Sequence, residues 1–156
     1  FKFNTMKNLF NQLDKDELIK RLSGLSPNHL PKWGKMNAHQ VVVHMTDPLR
    51  CAIGDRPVPL NPSIFAKWPV NKLFSQYLPW PKGAPTAPEF IQGVKGSQCI
   101  EFERDKQELI LVIHRFSQHQ NSKPFPIQPT FGKLNNNEWA RLMWRHINHH
   151  LNQFGL

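Results

Sequence analysis

Three histidines lie within five residues near the end of the chain, in the stretch HINHH. His146 and His150 are four residues apart, so on a helix their Cβ atoms would stand about 5–6 Å apart and both imidazoles could bind one ion. The same spacing also fits two hydrogen-bonded core histidines, or a terminal helix that frays and exposes them. An HxxxH pair alone therefore predicts a metal site only weakly.

The position of each histidine around the helix axis sharpens this expectation. An α-helix turns about 100° per residue, which places Trp139 roughly 20° and His150 roughly 40° from His146. Both histidines thus fall within the apolar stripe, whereas His149 falls about 60° away on its other edge. We expect His146 and His150 to face the core and His149 to lie at the rim.

A third histidine on another helix would complete a site of the catalytic type, which has three protein ligands and one open position. The stretch NAHQVVVHMTDPLRC supplies His44, which shares a helix face with Val41 and Pro48. His39 falls on the opposite face. Cys51 shares the face of His44 but lies about 10 Å further along the axis, so it is expected to be a small core residue.

Other patterns in the sequence exclude several kinds of site. The zinc-protease motif needs a glutamate directly after its first histidine, and Ile147 stands there instead. His29, His114 and His119 fall in loops or on outward faces, so they are not expected to bind the ion. Two cysteines are too few for a disulfide framework, which favours a reducing cytoplasm.

Composition indicates one globular domain spanning residues 1–156, with 39% hydrophobic residues. The net charge is +9, but the 20 lysines and arginines are scattered, so nucleic-acid binding is not favoured, and the same charge would also attract a small anionic substrate or cofactor. The longest apolar run, 109–113, is too short to cross a bilayer, and no apolar signal segment opens the chain. We expect no membrane association and a cytoplasmic location.

Apolar periodicity and capping residues predict four helices, over 7–22, 37–54, 97–119 and from Asn135 to just before Gly155. The proline-rich residues 55–96 are expected to form an irregular connection or lid, in which only 64–78 can hold a short helix, interrupted by Pro69. The predicted fold is all-α: a four-helix bundle with a long proline-rich connection between helices 2 and 3.

The combination of His44 with a C-terminal H-x-x-H-H-x-x-Q pattern, formed by His146, His149, His150 and Gln153, resembles the DinB/YfiT-like superfamily of metalloenzymes. The stretches WGKMNAHQVVVHM, TFGKLNNNEWARLMWRH and HHLNQFG resemble an uncharacterised branch of it, a domain of unknown function. The similarity covers nearly all of the chain, with the proline-rich middle matching least.

This resemblance implies a DinB-like four-helix bundle in which His44, His146 and His150 bind a divalent ion, zinc or nickel. His149 is not a ligand in that family. Relatives include hydrolase-like members and transferases and isomerases that use a low-molecular-weight thiol, bacillithiol or mycothiol. Gln128, in the stretch QPTFG, is a departure, because relatives often carry histidine there.

The resulting hypothesis is a metal-dependent hydrolase or thiol-dependent S-transferase that acts on a small molecule. Asp47 and His149 are candidates for a catalytic role, and Gln153 is a candidate to support the ligands by hydrogen bonding. The alternatives are a non-catalytic bundle that binds a small ligand or a protein and, less favoured, a basic nucleic-acid-binding module. Trp144 lies opposite the His146 face, where it suits a homodimer contact.

Overall fold

The computed structural model describes residues 6–61 and 63–156. Their helices are α1 (Gln12–Ser23), α2 (Ala38–Ala52), a short α3 (Val70–Lys72), α4 (Phe102–Ser117) and α5 (Asn136–Gln153). No strand occurs within this described part of the chain, which holds only two isolated β-bridges. The all-α prediction is confirmed.

Reciprocal capping determines where the two histidine-bearing helices begin. The Asn37 side chain accepts the backbone N–H of Gln40, and the Gln40 side chain accepts that of Asn37. Asn135 and Glu138 form the same arrangement before α5. Each pair satisfies two backbone donors that the first turn of a helix leaves free. Both helix starts agree with the sequence prediction.

The other two long helices begin later than predicted. Before α1, the Asn8 side chain accepts the N–H groups of Phe10 and Asn11, which turns the chain before Asn11 caps the helix. Before α4, the carboxylate of Glu101 accepts two backbone N–H groups and takes the capping position. In both cases a local polar side chain competes with the helical hydrogen bonds and moves the start.

The four long helices enclose one apolar core. Helix α2 packs against α4 and α5, and α1 packs against the same two helices. The largest fully buried side chains include Trp139, Phe116, Met45 and Leu49. In the described residues, no helix combines the length and apolarity that crossing a bilayer requires.

The connection between α2 and α4 contains the interrupted short helix predicted within 64–78 and one further helical turn. A helical turn over Ile64–Ala66 lies before Pro69. After Pro69, α3 continues directly into a π-helical turn over Leu73–Tyr77. A last helical turn covers Pro88–Phe90. The π-helical turn contacts α5 and the last turn contacts α2. The connection therefore packs on the two helices that carry the histidines.

Candidate metal centre

Helices α2 and α5 present three histidines to one another across the core. His44 is 4% exposed and His150 is 7% exposed, whereas His146 lies half-buried at the edge. Trp139 and Met143, on the same stripe of α5, are also buried. The inward orientation that the helical spacing predicts for His44, His146 and His150 is therefore what the structure has.

The three imidazoles converge on a single point. One nitrogen from each of His44, His146 and His150 lies within 4.8 Å of the other two. The ring centroids are 4.7–4.9 Å apart. The Nε2 atoms of His44 and His146 are separated by 3.0 Å. Two nitrogens bound to one tetrahedral ion at 2.0–2.1 Å would be roughly 3.3 Å apart, so the spacing suits a shared ion.

Hydrogen bonds fix which nitrogen two of these histidines offer. The Nδ1 of His44 lies 2.8 Å from the carbonyl oxygen of Phe90, and the Nδ1 of His150 lies 2.8 Å from Oε1 of Gln153. Both oxygens can only accept, so each Nδ1 carries the proton and each Nε2 keeps a free lone pair. This is the tautomer that binds a metal through Nε2.

The protein alone cannot satisfy all of these nitrogens. His146 can donate one N–H to one of the two facing lone pairs, which leaves the other without a donor. Its own Nδ1 is buried and has no hydrogen-bond partner in the described part of the protein, so no second contact fixes the tautomer of this ring. A cation bound by the three imidazoles would use every converging lone pair, so the residues present fit a metal ion.

Burial also keeps the cluster uncharged. It lowers the pKa of His44, an effect that the hydrogen bond to Phe90 only partly offsets. Burial and then the neighbouring imidazoles hold the pKa of His146 well below its ordinary value, and burial lowers the pKa of His150 to about 3. At neutral pH all three rings are therefore neutral, which is the form that coordinates a metal.

Gln153 lies beside the cluster as its place in the sequence motif suggested. Its Oε1 accepts from His150, and its Nε2 donates to the carbonyl of Trp33 at 2.7 Å. Gly34 follows in the left-handed region, with φ of 81°, and a Cβ there would lie 2.6 Å from that Nε2. The glycine therefore lets the loop after α1 approach the amide that orients His150.

His149 lies at the rim. It is half-buried, and its ring packs edge-on against Trp80 and Trp33, with centroids 5.9 Å away in both cases. Burial, and then the charge of Arg145, lowers its pKa. A groove of about 500 Å³ opens beside it, and His149 and Trp80 form part of its wall. His149 therefore joins the cluster to an open cavity, and its catalytic role stays a prediction.

Asp47 is fully buried in contacts with the two ends of the connection. Its carboxylate accepts the backbone N–H of Ser97 at 2.9 Å and the Ser97 hydroxyl at 2.5 Å. Arg56 lies 3.8 Å away. Among the described residues, none of the hydrogen bonds of Asp47 joins a histidine. These contacts give Asp47 a structural task, and the catalytic role predicted for it remains a prediction.

The remaining candidates lie outside the cluster. His39 pairs with Asp105 at 2.7 Å, and His114 is exposed. Cys51 is a buried free thiol that is not part of the histidine group. The Gln128 side chain accepts two backbone N–H groups of the turn that follows it, so in this chain the position serves the loop.

Sequence reasoning missed three contributors to the site. The carbonyls of Phe90 and Trp33 hold His44 and Gln153, and the Trp80 ring lies over the rim, 6.2 Å from the His146 ring. Every residue has a backbone carbonyl, so no sequence pattern could single out those of Phe90 and Trp33. Trp80 belongs to residues 55–96, for which the sequence predicts only an irregular connection or lid. Trp144, considered for a dimer contact, donates to the carbonyl of Asp14 in α1.

Comparison with known families identifies the chain as a member of the family described as "Protein of unknown function (DUF1569)", whose model matches residues 4–155. No curated protein and no solved structure matches the chain at a significant level. The family assignment therefore agrees with the domain of unknown function that the sequence motifs suggested, and any activity must be argued from the site.

Proposed function

We propose that this DUF1569 member holds a divalent metal ion, zinc or nickel, between His44, His146 and His150, and that it is a metal-dependent enzyme acting on a small molecule. The observation that carries the proposal is the convergence of three neutral imidazoles from two helices, with one nitrogen of each within 4.8 Å of the others. The all-α architecture and the resemblance of the motif to the DinB/YfiT-like superfamily, whose members hold such an ion with the corresponding histidines, also support the proposal.

The surrounding residues suit this role. When bound, an ion with an open position supplies Lewis acidity that activates water or a thiol. Gln153 and the Phe90 carbonyl hold two of the imidazoles in the required tautomer. Trp80 and His149 line the adjacent groove and also contact the rings of His146 and His150, so in this proposal a small molecule reaches the ion past these two side chains. Residues 55–96, which carry Trp80 and Phe90, act as the lid in this proposal.

The nucleophile in this proposal comes from outside the protein. Burial raises the pKa of both Cys51 and Cys99, so their thiols stay protonated at neutral pH and are poor nucleophiles. Neither belongs to the histidine group. Two reaction classes fit this site: hydrolysis by water, and transfer to a low-molecular-weight thiol as in thiol-dependent relatives of the DinB/YfiT-like superfamily.

Metal content tests the first part of the proposal. Untagged protein, stripped and then reconstituted with zinc or nickel, should retain about one ion per chain when measured by elemental analysis. His44→Ala and His146→Ala should lose most of it, because two imidazoles bind a divalent ion far more weakly than three. His114→Ala, which removes an exposed histidine from α4, is the matched control and should keep the ion.

A wild-type protein that retains no ion after reconstitution would contradict the metal site and leave a non-catalytic ligand-binding or interaction bundle. If the ion is retained, the metal-loaded protein should be screened with low-molecular-weight thiols plus electrophiles, and in parallel with esters and amides. Turnover should disappear on chelation and in His146→Ala. Turnover that survives both treatments would show that the histidine cluster is not the active site.

A further inference from the structure

The groove beside the histidine cluster is lined by two arginines, Arg141 and Arg145, that form no ion pair with any carboxylate in the described part of the chain. Four other arginines pair with carboxylates: Arg21, Arg50, Arg56 and Arg115. In the described residues, no such pair includes Arg141 or Arg145, and residues 1–5 and 62 contain no aspartate or glutamate. These two arginines stand four residues apart on α5, so their like charges repel each other.

Both guanidinium groups are held in place and keep donors free. Arg145 donates from Nη1 and Nη2 to backbone carbonyls of the segment 73–80, and its guanidinium lies 4.8 Å from the centroid of the Trp80 ring. Arg141 donates from Nε to a third carbonyl of that segment. Among the described residues, Nε of Arg145 and the two terminal nitrogens of Arg141 meet no acceptor. Fixed, half-buried cations with unused donors favour binding of an anion.

The groove has the size and walls of a small-molecule site. Its volume of about 500 Å³ lies within the usual range for such sites. Trp144 supplies an apolar surface on one side, and Trp80 and His149 form the side next to the histidine cluster. Burial and then the neighbouring Arg141 lower the pKa of Arg145 to about 10, so it stays charged at neutral pH.

We propose that this groove binds the oxyanion group, carboxylate or phosphate, of a small organic molecule, with Arg141 and Arg145 as its anchors. The planar guanidinium donates in parallel to two oxygens of either group, which a lysine ammonium cannot do. A molecule anchored there extends along Trp80 and His149 towards the three histidines. This goes beyond the proposed function, because it assigns the charge and the orientation of the ligand and does not require the metal.

Titration with two probes that share a phenyl ring and differ in the anionic group tests the inference and separates the two oxyanions. Benzoate and phenyl phosphate are added to untagged protein, before and after metal loading, while the arginine Nε–Hε resonances are followed by NMR. At least one probe should give saturable shifts, largest at Arg145, and the tighter probe identifies the preferred group. Absence of saturable shifts with both probes would overturn the proposal, whatever the metal analysis shows.

Substitutions assign the binding to the two arginines. Arg141→Gln and Arg145→Gln should each weaken the tighter probe by about tenfold, the loss expected for one charge-assisted contact. Arg104→Gln removes an exposed arginine from α4 and is the control for net charge. Arg145→Lys keeps the charge and should still weaken binding, since it lacks the planar fork. Circular dichroism shows whether each variant folds.

Two results would contradict the assignment. One is equal weakening by Arg104→Gln and Arg145→Gln, which would show that net charge alone attracts the probe. The other is tighter binding of a single-stranded oligonucleotide that falls steeply with salt and is unaffected by Arg145→Gln, because phosphate contacts spread over the surface give that behaviour. In either case the groove would not be the anion site.

Discussion

A single amide, that of Gln153, connects the proposed metal ligand His150 to the loop after α1. Its oxygen accepts from the imidazole at 2.8 Å and its nitrogen donates to the Trp33 carbonyl at 2.7 Å. Gln153 is buried, so neither bond can be replaced by bulk water. The amide thus has two separable effects: it selects the tautomer of His150, and it joins the loop to α5.

Two substitutions at Gln153 should separate these effects. Gln153→Leu removes both hydrogen bonds, and we expect metal affinity to fall by about 10–100-fold and the free energy of unfolding by about 1–3 kcal/mol. Gln153→Glu keeps the acceptor for His150 and loses the donor for Trp33. It should therefore restore most of the metal affinity while the protein stays destabilised.

Competition with a metal chelator measures the affinity, and urea denaturation measures the stability. Gln120→Leu, at an exposed position after α4, is the control and should change neither. If Gln153→Leu and Gln153→Glu lost the same metal affinity, the hydrogen bond to His150 would not position the ligand.

At the scale of elements, Asp47 joins α2 to both ends of the long connection. Arg56 lies at the start of the connection and Ser97 lies just after its end, and both contact the Asp47 carboxylate. An acid buried without such partners would be strongly unfavourable. The carboxylate therefore holds the ends of a segment whose middle supplies Phe90 and Trp80 to the site.

Removal of Asp47 should loosen this arrangement. Asp47→Ala leaves Arg56 and the Ser97 amide without their partner, and we expect a loss of about 3 kcal/mol in unfolding free energy. Adding Arg56→Ala should cost less than the sum of the two single changes, because the pair is broken only once. Urea denaturation of the four proteins gives the coupling energy.

The same variant tests the catalytic role predicted for Asp47. If the residue acts only through Arg56 and Ser97, the folded Asp47→Ala protein should keep its metal, and any turnover should fall no further than in Ser97→Ala. A loss of turnover at least tenfold greater than in Ser97→Ala, with the metal retained, would instead support a role in the chemistry.

The elements that sequence could predict are those set by local rules. The capping pairs before α2 and α5 fix the helix starts, and with them the faces that carry His44 and His146. The predicted start of α4 at Ser97 is wrong, because Glu101 caps the helix and Ser97 is held by Asp47, fifty residues away. The contact between Ser97 and Asp47 joins distant segments, and spacing along the chain contains no record of it.

At the scale of the whole molecule, the site joins parts of the chain that are far apart in sequence. His44 and His146 are separated by 102 positions, yet their Nε2 atoms are 3.0 Å apart. The two helices that carry these histidines also contact the rest of the fold: α2 contacts α4, α5 contacts α1, and both contact the connection. An ion held by both helices would therefore stabilise the folded chain as a whole, because the unfolded chain does not bring these ligands together.

Thermal unfolding measures this coupling. Free metal at about 100 times its dissociation constant should add about 2.7 kcal/mol, which corresponds to a rise in Tm of roughly 5–10 °C for a domain of this size. Wild type and His114→Ala should show the rise, and His44→Ala should not, because the ion then has ligands on α5 alone. An equal rise in His44→Ala would mean that the stabilising ion binds elsewhere, since the only ligand that α2 contributes to the proposed site is His44.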